Sequence, residues 1–363
     1  MKSKERISTI LDLGEPDRIG MHDEFWLETI RRWKREGGLP PDAPEPIEGC
    51  EYKHIAPKYF DMDMVFVEID VSPRFERKVI KKEEKSMIIS DEWGQIRRSW
   101  LSLKDGAPQV LDNIIKSEED WEKVEDRFQP TPDRIVDPPY EKLKEMRKSE
   151  KFVTLLIFNP WEWGWRLVGF TNLIKLMYKK PSFVKRMFDK LREFQTELMK
   201  MAIEEAWVDG VWMWGDSAYN SGPFLSLKMY EEFISPYHAH FCNVARKYGL
   251  HVILHTDGDV RPLIPYFIKE GIRGLNPIES DLLDIGELKE KYGDKLVFVG
   301  GIDVKKLAKG PEKAREEVID KIKKAAYGGG FIFHSDHSVP PDVSFEAYKA
   351  ALDAALKYGR YRP

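Results

Sequence analysis

The chain has 363 residues, 42% of them apolar and 33% charged, and a formal net charge of −4. This composition excludes a disordered chain and argues against a nucleic-acid-binding protein, which would need a basic face. No uncharged apolar run approaches the ~18 residues of a membrane span.

The N-terminal stretch MKSKERISTILDLGEPDR is charged and lacks the apolar region of a signal peptide. The only cysteines, Cys50 and Cys242, form neither a disulfide framework nor a Cys-x-x-Cys knuckle. A cytoplasmic protein is expected. From there the chain alternates short β-branched runs with amphipathic helices. The expected strands are 18–24, 62–70, 151–159, 210–216, 251–257, 272–278, 295–301 and 330–336. Between the second and third lies 75–110, where charges alternate with apolar residues as in a β-meander. Residues 111–150, with several prolines, read as an irregular link with a short helix. A long helix is expected from Pro181 to Ala206, with apolar residues at 183, 184, 187, 188, 191, 194, 198 and 201. Another runs from an N-cap at Ser226 to Gly249, and a third opens at Pro311.

Eight strands with crossover helices predict an α/β fold, a (β/α)8 TIM barrel formed by residues 1–363 as one domain, with a β-meander insertion at about 75–110 after the second strand. An open doubly wound sheet would carry a glycine-rich phosphate loop after its first strand, and none is present.

In such a barrel the active site forms at the C-terminal ends of the strands. Period-two geometry puts His251, Ile253, His255 and Asp257 on one face of the fifth strand, with His255 and Asp257 emerging inward at the mouth. By the same count Ile332, His334 and Asp336 share a face, as do Trp212, Trp214 and Asp216, and Phe66, Glu68 and Asp70. Glu279 follows the sixth strand. Asp303 reads as a helix N-cap, and His238, His240 and His251 as helix-surface or core residues. Imidazoles and carboxylates converging from several strands suit a divalent ion with an open position, or acid–base chemistry without metal. Trp161, Trp163, Trp165, Trp212 and Trp214 lie at or near strand ends, where they form core or an apolar wall for a flat ligand. In the same WEWGWR segment Glu162 and Arg166 are expected at the substrate, Arg166 as a partner for a carboxylate or phosphate.

The segments GEPDRIG, WGDSAYNSGPFLSLKMYEEFISPYHAHF, HTDGDVRPLIPYFIKEGIRGLNPIE, FVGGIDV and GGGFIFHSDHSVPPDVSFEAY, in this order along nearly the whole chain, resemble the uroporphyrinogen decarboxylase superfamily. The resemblance implies a (β/α)8 barrel and either the haem-pathway decarboxylation or methyl transfer to and from corrinoid proteins. Asp216 and His337 match the decarboxylase's Asp after the fourth strand and its closing His, and Asp70 or Glu68 stands near its catalytic Asp. Where that enzyme has an arginine-rich motif for its carboxylates, this chain reads IGMHDEFWLETI and offers His22, Asp23 and Glu24. Acids there oppose a polycarboxylate. The thiol-specific methyltransferases bind zinc through His-x-Cys and a distant Cys. Here the pair reads His255-Thr256-Asp257, so the metal set implied is N/O-only: His255, Asp257, Glu279 and His337. On this reading zinc is the metal, a corrinoid on a partner protein is the second cofactor, and an O- or N-methyl compound is the substrate. The alternatives are a metal-free decarboxylase in which the acids and His337 handle protons, and a non-catalytic barrel that holds a tetrapyrrole or corrinoid. The family also implies a homodimer.

Overall fold

The structure is a computed structural model that describes residues 1–43, 59–100 and 108–361. Cys50 and part of the expected meander lie outside the described residues. The strands are β1 (Gly20–Met21), β2 (Met64–Ile69), β3 (Lys78–Lys82), β4 (Ser86–Ser90), β5 (Gln95–Trp100), β6 (Gln109–Asn113), β7 (Ile135–Asp137), β8 (Phe152–Phe158), β9 (Gly210–Trp214), β10 (Ala218–Tyr219), β11 (Gly222–Pro223), β12 (His251–His255), β13 (Gly274–Asn276), β14 (Val297–Val299) and β15 (Phe331–Phe333). The main sheet has the order β1-β15-β14-β13-β12-β9-β8-β2-β7. All its pairings are parallel except that of β7 with β2. This is a TIM-barrel-like α/β fold with a curled parallel sheet. Its strands are shorter than the apolar runs suggest, because polar residues such as Asp257 and Asp336 leave the ladder as soon as they reach the mouth.

Alternation along each strand separates two apolar layers. Met64, Phe66, Phe152, Leu156, Trp212, Ile253, Val297, Val299 and Ile332 face the interior and form one buried cluster. Ile7, Ile10 and Leu11 of the N-terminal helix Ser3–Leu11 belong to the same cluster, so this helix plugs the lower end. Gly20 allows its approach: a Cβ there would lie 2.7 Å from Ile7 Cδ1 and 3.0 Å from Ile332 Cγ1. The alternate residues, among them Val67, Val211, Val252, Leu254 and Phe298, pack outward with the helices.

No ladder joins β1 to β2. That seam is held by Asp63, which is fully buried. Its backbone N–H donates to Met21 O at 2.7 Å. Its carboxylate accepts from Met21 N at 2.9 Å, Ser3 Oγ at 2.7 Å, Arg6 Nη1 at 2.8 Å and Arg18 Nη1 at 2.9 Å.

Strands β3 to β6 form a separate antiparallel sheet between β2 and β8 in sequence. The helix expected from Ser226 to Gly249 is two helices, Leu227–Phe233 and Ser235–Lys247. Pro236, which lacks the N–H needed to continue the ladder, lies at the break. Ser226 caps the first through Met229 N, and Asp303 caps its own helix through Lys305 N and Lys306 N. No described helix is long and apolar enough to cross a membrane.

Replacing Asp63 by Ala leaves the buried Arg18 guanidinium without its carboxylate, leaves Arg6 with the Asp17 carboxylate, and opens the seam. The expected loss is about 3–5 kcal/mol of stability, read from urea denaturation midpoints. An unchanged midpoint contradicts this role.

Candidate active site at the mouth of the sheet

The strand exits are stitched together by short polar contacts. Asn159 caps the helix Pro160–Val168 by accepting from Glu162 N at 2.7 Å, and its Nδ2 donates to Gly215 O at 2.7 Å. Gly215 has φ +147°, and a Cβ there would lie 2.5 Å from Asn159 Oδ1. Position 215 therefore needs glycine, and it delivers Asp216 to the mouth. Ser217 N donates to Thr256 Oγ1 at 2.8 Å, and Asp257 N donates to Asp216 Oδ1 at 2.9 Å. The exits of β9 and β12 are thus locked in register.

Asp216, His255 and Asp257 each offer one ligand atom, and these atoms lie within 4.8 Å of one another. All three residues are partly buried. Asp257 Oδ1 is buried without a hydrogen-bond partner. His255 Nδ1 faces Asn276 Oδ1 at 2.7 Å, while Asn276 Nδ2 donates to Val299 O at 3.1 Å. The second bond fixes which end of the amide meets the ring. His255 therefore carries its proton on Nδ1 and keeps the Nε2 lone pair for a ligand. A carbonyl-type partner on the far nitrogen is the usual support of a metal-binding imidazole. Burial disfavours the charged form of His255, but the carboxylates of Asp257 and Asp216 and the Asn276 bond outweigh it, and the net shift is upward. Asp216 is pushed up by burial and by Asp257, against the pull of His255. One imidazole and two carboxylates crowded in this way fit a divalent ion with N/O preference such as zinc.

The group opens on a cavity of about 640 Å³. Trp93, Leu156, Phe158, Trp212 and Trp214 form its apolar wall, and Glu24, Glu68, Asp70, Glu92, Asp216 and Asp257 outnumber the cations Arg97 and Arg166 around it. His334 and His337 complete it. Trp93 and Arg97 come from the β3–β6 sheet and its β4–β5 turn.

Several expected residues sit elsewhere or do other work. Glu279 is outside the three-residue group, and its Oε1 accepts from Gly258 N. His337 is also outside it, exposed at the rim, with Nδ1 3.4 Å from Ser338 O. Asp70 lines the cavity, but its carboxylate takes Arg74 Nε at 2.5 Å and Ser72 Oγ at 2.7 Å. Glu68 lines the wall nearby. His22 lies under the cavity, fully buried, its ring 5.0 Å from Phe66 and 5.6 Å from Trp212. Trp161 packs into the helix layer at 5.2 Å from Phe170 and 5.8 Å from Phe224 and is not part of the wall. The helical period accounts for this, since residues 162 and 166 share a face that residue 161 does not. Glu162 is buried beneath Arg166 and holds its Nε at 2.6 Å. Burial raises its pKa, opposed by Arg166 and helped by Asp216. Asp336, on the expected inward face, instead accepts from Val304 N at 3.0 Å and Ser280 N at 3.3 Å.

Sequence reasoning missed Asn276, Trp93 and Arg97, while Glu24, expected from the resemblance where substrate carboxylates would lie, does line the cavity. Only the period of β13, which places Asn276 on its inner face beside His255, could have pointed to it.

The fold and site define an α/β protein with polar chemistry at the strand ends. A family model described as Uroporphyrinogen decarboxylase (URO-D) matches residues 100–358. The chain belongs to the uroporphyrinogen decarboxylase family. It is 25% identical to the uroporphyrinogen decarboxylase of Ruthia magnifica subsp. Calyptogena magnifica over 202 residues, 53% of this chain and 54% of that one. It is likewise 25% identical to that of Hydrogenovibrio crunogenus over 275 residues, 71% and 73% of the two chains. The chain thus spans about half the length of the first relative and more of the second. Among solved structures, a methyltransferase from Methanosarcina mazei superposes with a TM-score of 0.70 at 16% identity, covering 99% of both chains. That likeness is one of fold.

Replacing Asn276 by Ala releases the His255 tautomer. Zinc affinity, measured by competition with a chromophoric chelator, is expected to fall about 10–100-fold with the fold unchanged. Equal affinity in the two proteins contradicts the support role.

Proposed function

We propose that this chain is a methyltransferase that takes a methyl group from a small O- or N-methyl compound and passes it to a corrinoid carried by a partner protein. The observation that carries the reading is the Asp216–His255–Asp257 group, with His255 Nε2 freed by Asn276 and Asp257 Oδ1 buried and unpartnered. These three residues would hold zinc. When bound, zinc supplies Lewis acidity at the methyl-bearing oxygen or nitrogen. Trp212, Trp214 and Phe158 exclude water and orient the substrate over the group. As the methyl group departs, the atom it leaves takes up a proton, which would come from the imidazolium form of His337 at the cavity rim and be restored from solvent. The fold likeness to a methyltransferase supports this reading. The proposed protein works in the cytoplasm, as a homodimer, beside a corrinoid protein.

Decarboxylation is the second reading, favoured by the name the curated relatives carry. The six acids around the cavity against two arginines weigh against a polycarboxylate porphyrinogen.

Metal analysis and turnover separate the two. The purified chain is expected to hold about one zinc per chain, to lose it on His255→Ala, and to methylate cob(I)alamin from a panel of methyl ethers and methylamines. A metal-indifferent protein that consumes uroporphyrinogen overturns the proposal.

A further inference from the structure

The substrate class of this site can be narrowed, on the footing of the reading just given, by the way Arg166 is set into the wall. Its Cζ lies 5.1 Å from the ring centre of Trp214, 5.1 Å from Trp165, 5.5 Å from Trp93 and 5.9 Å from Phe158. The guanidinium sits in a box of four aromatic rings. Glu162 grips only its Nε edge, at 2.6 Å, and the other oxygen of Glu162 takes Trp165 Nε1 at 2.9 Å. Asn113 Nδ2 fixes the backbone behind it through Arg166 O at 3.0 Å. Among the described residues no acceptor bonds the terminal Nη1 and Nη2, yet Arg166 lines the cavity. A planar fork held by its stem, with two donors to spare, matches a carboxylate.

Trp214 connects this fork to the metal-type group. Its ring centre is 5.1 Å from Arg166 Cζ and 6.1 Å from the His255 ring. A ring-sized substrate lying along Trp214 in a cavity of about 640 Å³ reaches both. A second anionic group meets a weaker receptor. Arg97 also lines the cavity, but among the described residues no box of aromatic rings holds it, the buried Asp91 carboxylate 3.4 Å from its Nε offsets its charge, and the rest of the charged wall is acidic.

We infer that the cavity takes a planar molecule bearing a single carboxylate, which binds on Arg166 while the opposite end of the molecule lies at His255.

Calorimetric titration of the whole chain with benzoate, benzamide and benzene-1,3,5-tricarboxylate tests this. Benzoate is expected to bind at least about tenfold more tightly than benzamide, and more tightly than the tricarboxylate. Arg166→Gln is expected to erase the preference for benzoate. Arg166→Lys, which keeps the charge and loses the fork, is expected to lose most of it. Benzamide equal to benzoate, a tricarboxylate that binds best, or no benzoate binding at millimolar concentration overturns the inference in the unmutated protein, whether or not the variants fold. Benzoate has no methyl group to give, so the outcome is independent of methyl transfer. A protein that transfers methyl groups but ignores benzoate sinks this inference alone. One that binds benzoate through Arg166 without methyl transfer sinks the other.

Discussion

The architecture depends on one carboxylate. Asp63 is fully buried, stands at the seam where β1 and β2 share no ladder, and is surrounded by Arg6, Arg18, Ser3 and the backbone of Met21. Three parts of the chain distant in sequence meet there: the plug helix, the first strand and the entry to the second. A buried carboxylate tolerates such a position only when its lone pairs are all used, and here cations and donors supply every partner. With the lower end closed by this knot and by Ile7, Ile10 and Leu11, the interior up to Trp212 is mainly apolar, with Thr154 and His22 the polar side chains enclosed in it among the described residues.

At the mouth the balance is reversed. Asp216 and Asp257 stand close together with His255, and the donors that could neutralise them are few: one backbone N–H on Asp216, and none on Asp257 Oδ1. Burial and the neighbouring Asp257 carboxylate raise the pKa of Asp216, and a cation at this group would relieve the repulsion. The same scaffold that satisfies Asp63 completely leaves Asp257 Oδ1 buried without a partner.

Family membership fixes less about the reaction than the side chains do. A parallel sheet of this kind hosts many chemistries, and the work is done by residues at the strand ends. In this chain six acids and two arginines line the cavity. The two arginines present are already partly engaged, Arg97 toward Asp91 and Arg166 on Glu162.

The sequence by itself determined the strand and helix alternation, the side-chain alternation along β9 and β12, and the polar exits at Asp216, His255 and Asp257. Each of these is local: a period of two, an apolar run and a polar exit are written in consecutive residues. The closing of those exits into one group is a tertiary result. Tertiary structure alone decided the rest. Asn276 selects the His255 tautomer from the neighbouring strand, Asp63 bridges residues more than forty positions away, and the β3–β6 sheet brings Trp93 and Arg97 over the mouth. It also turned Glu279 to Gly258 and sent Trp161 into the helix layer, although both sit in the segments where periodicity put the site. Hydrogen-bond partners and wall residues are matters of distance between chain segments, and the period of one segment carries no information about the distance to another.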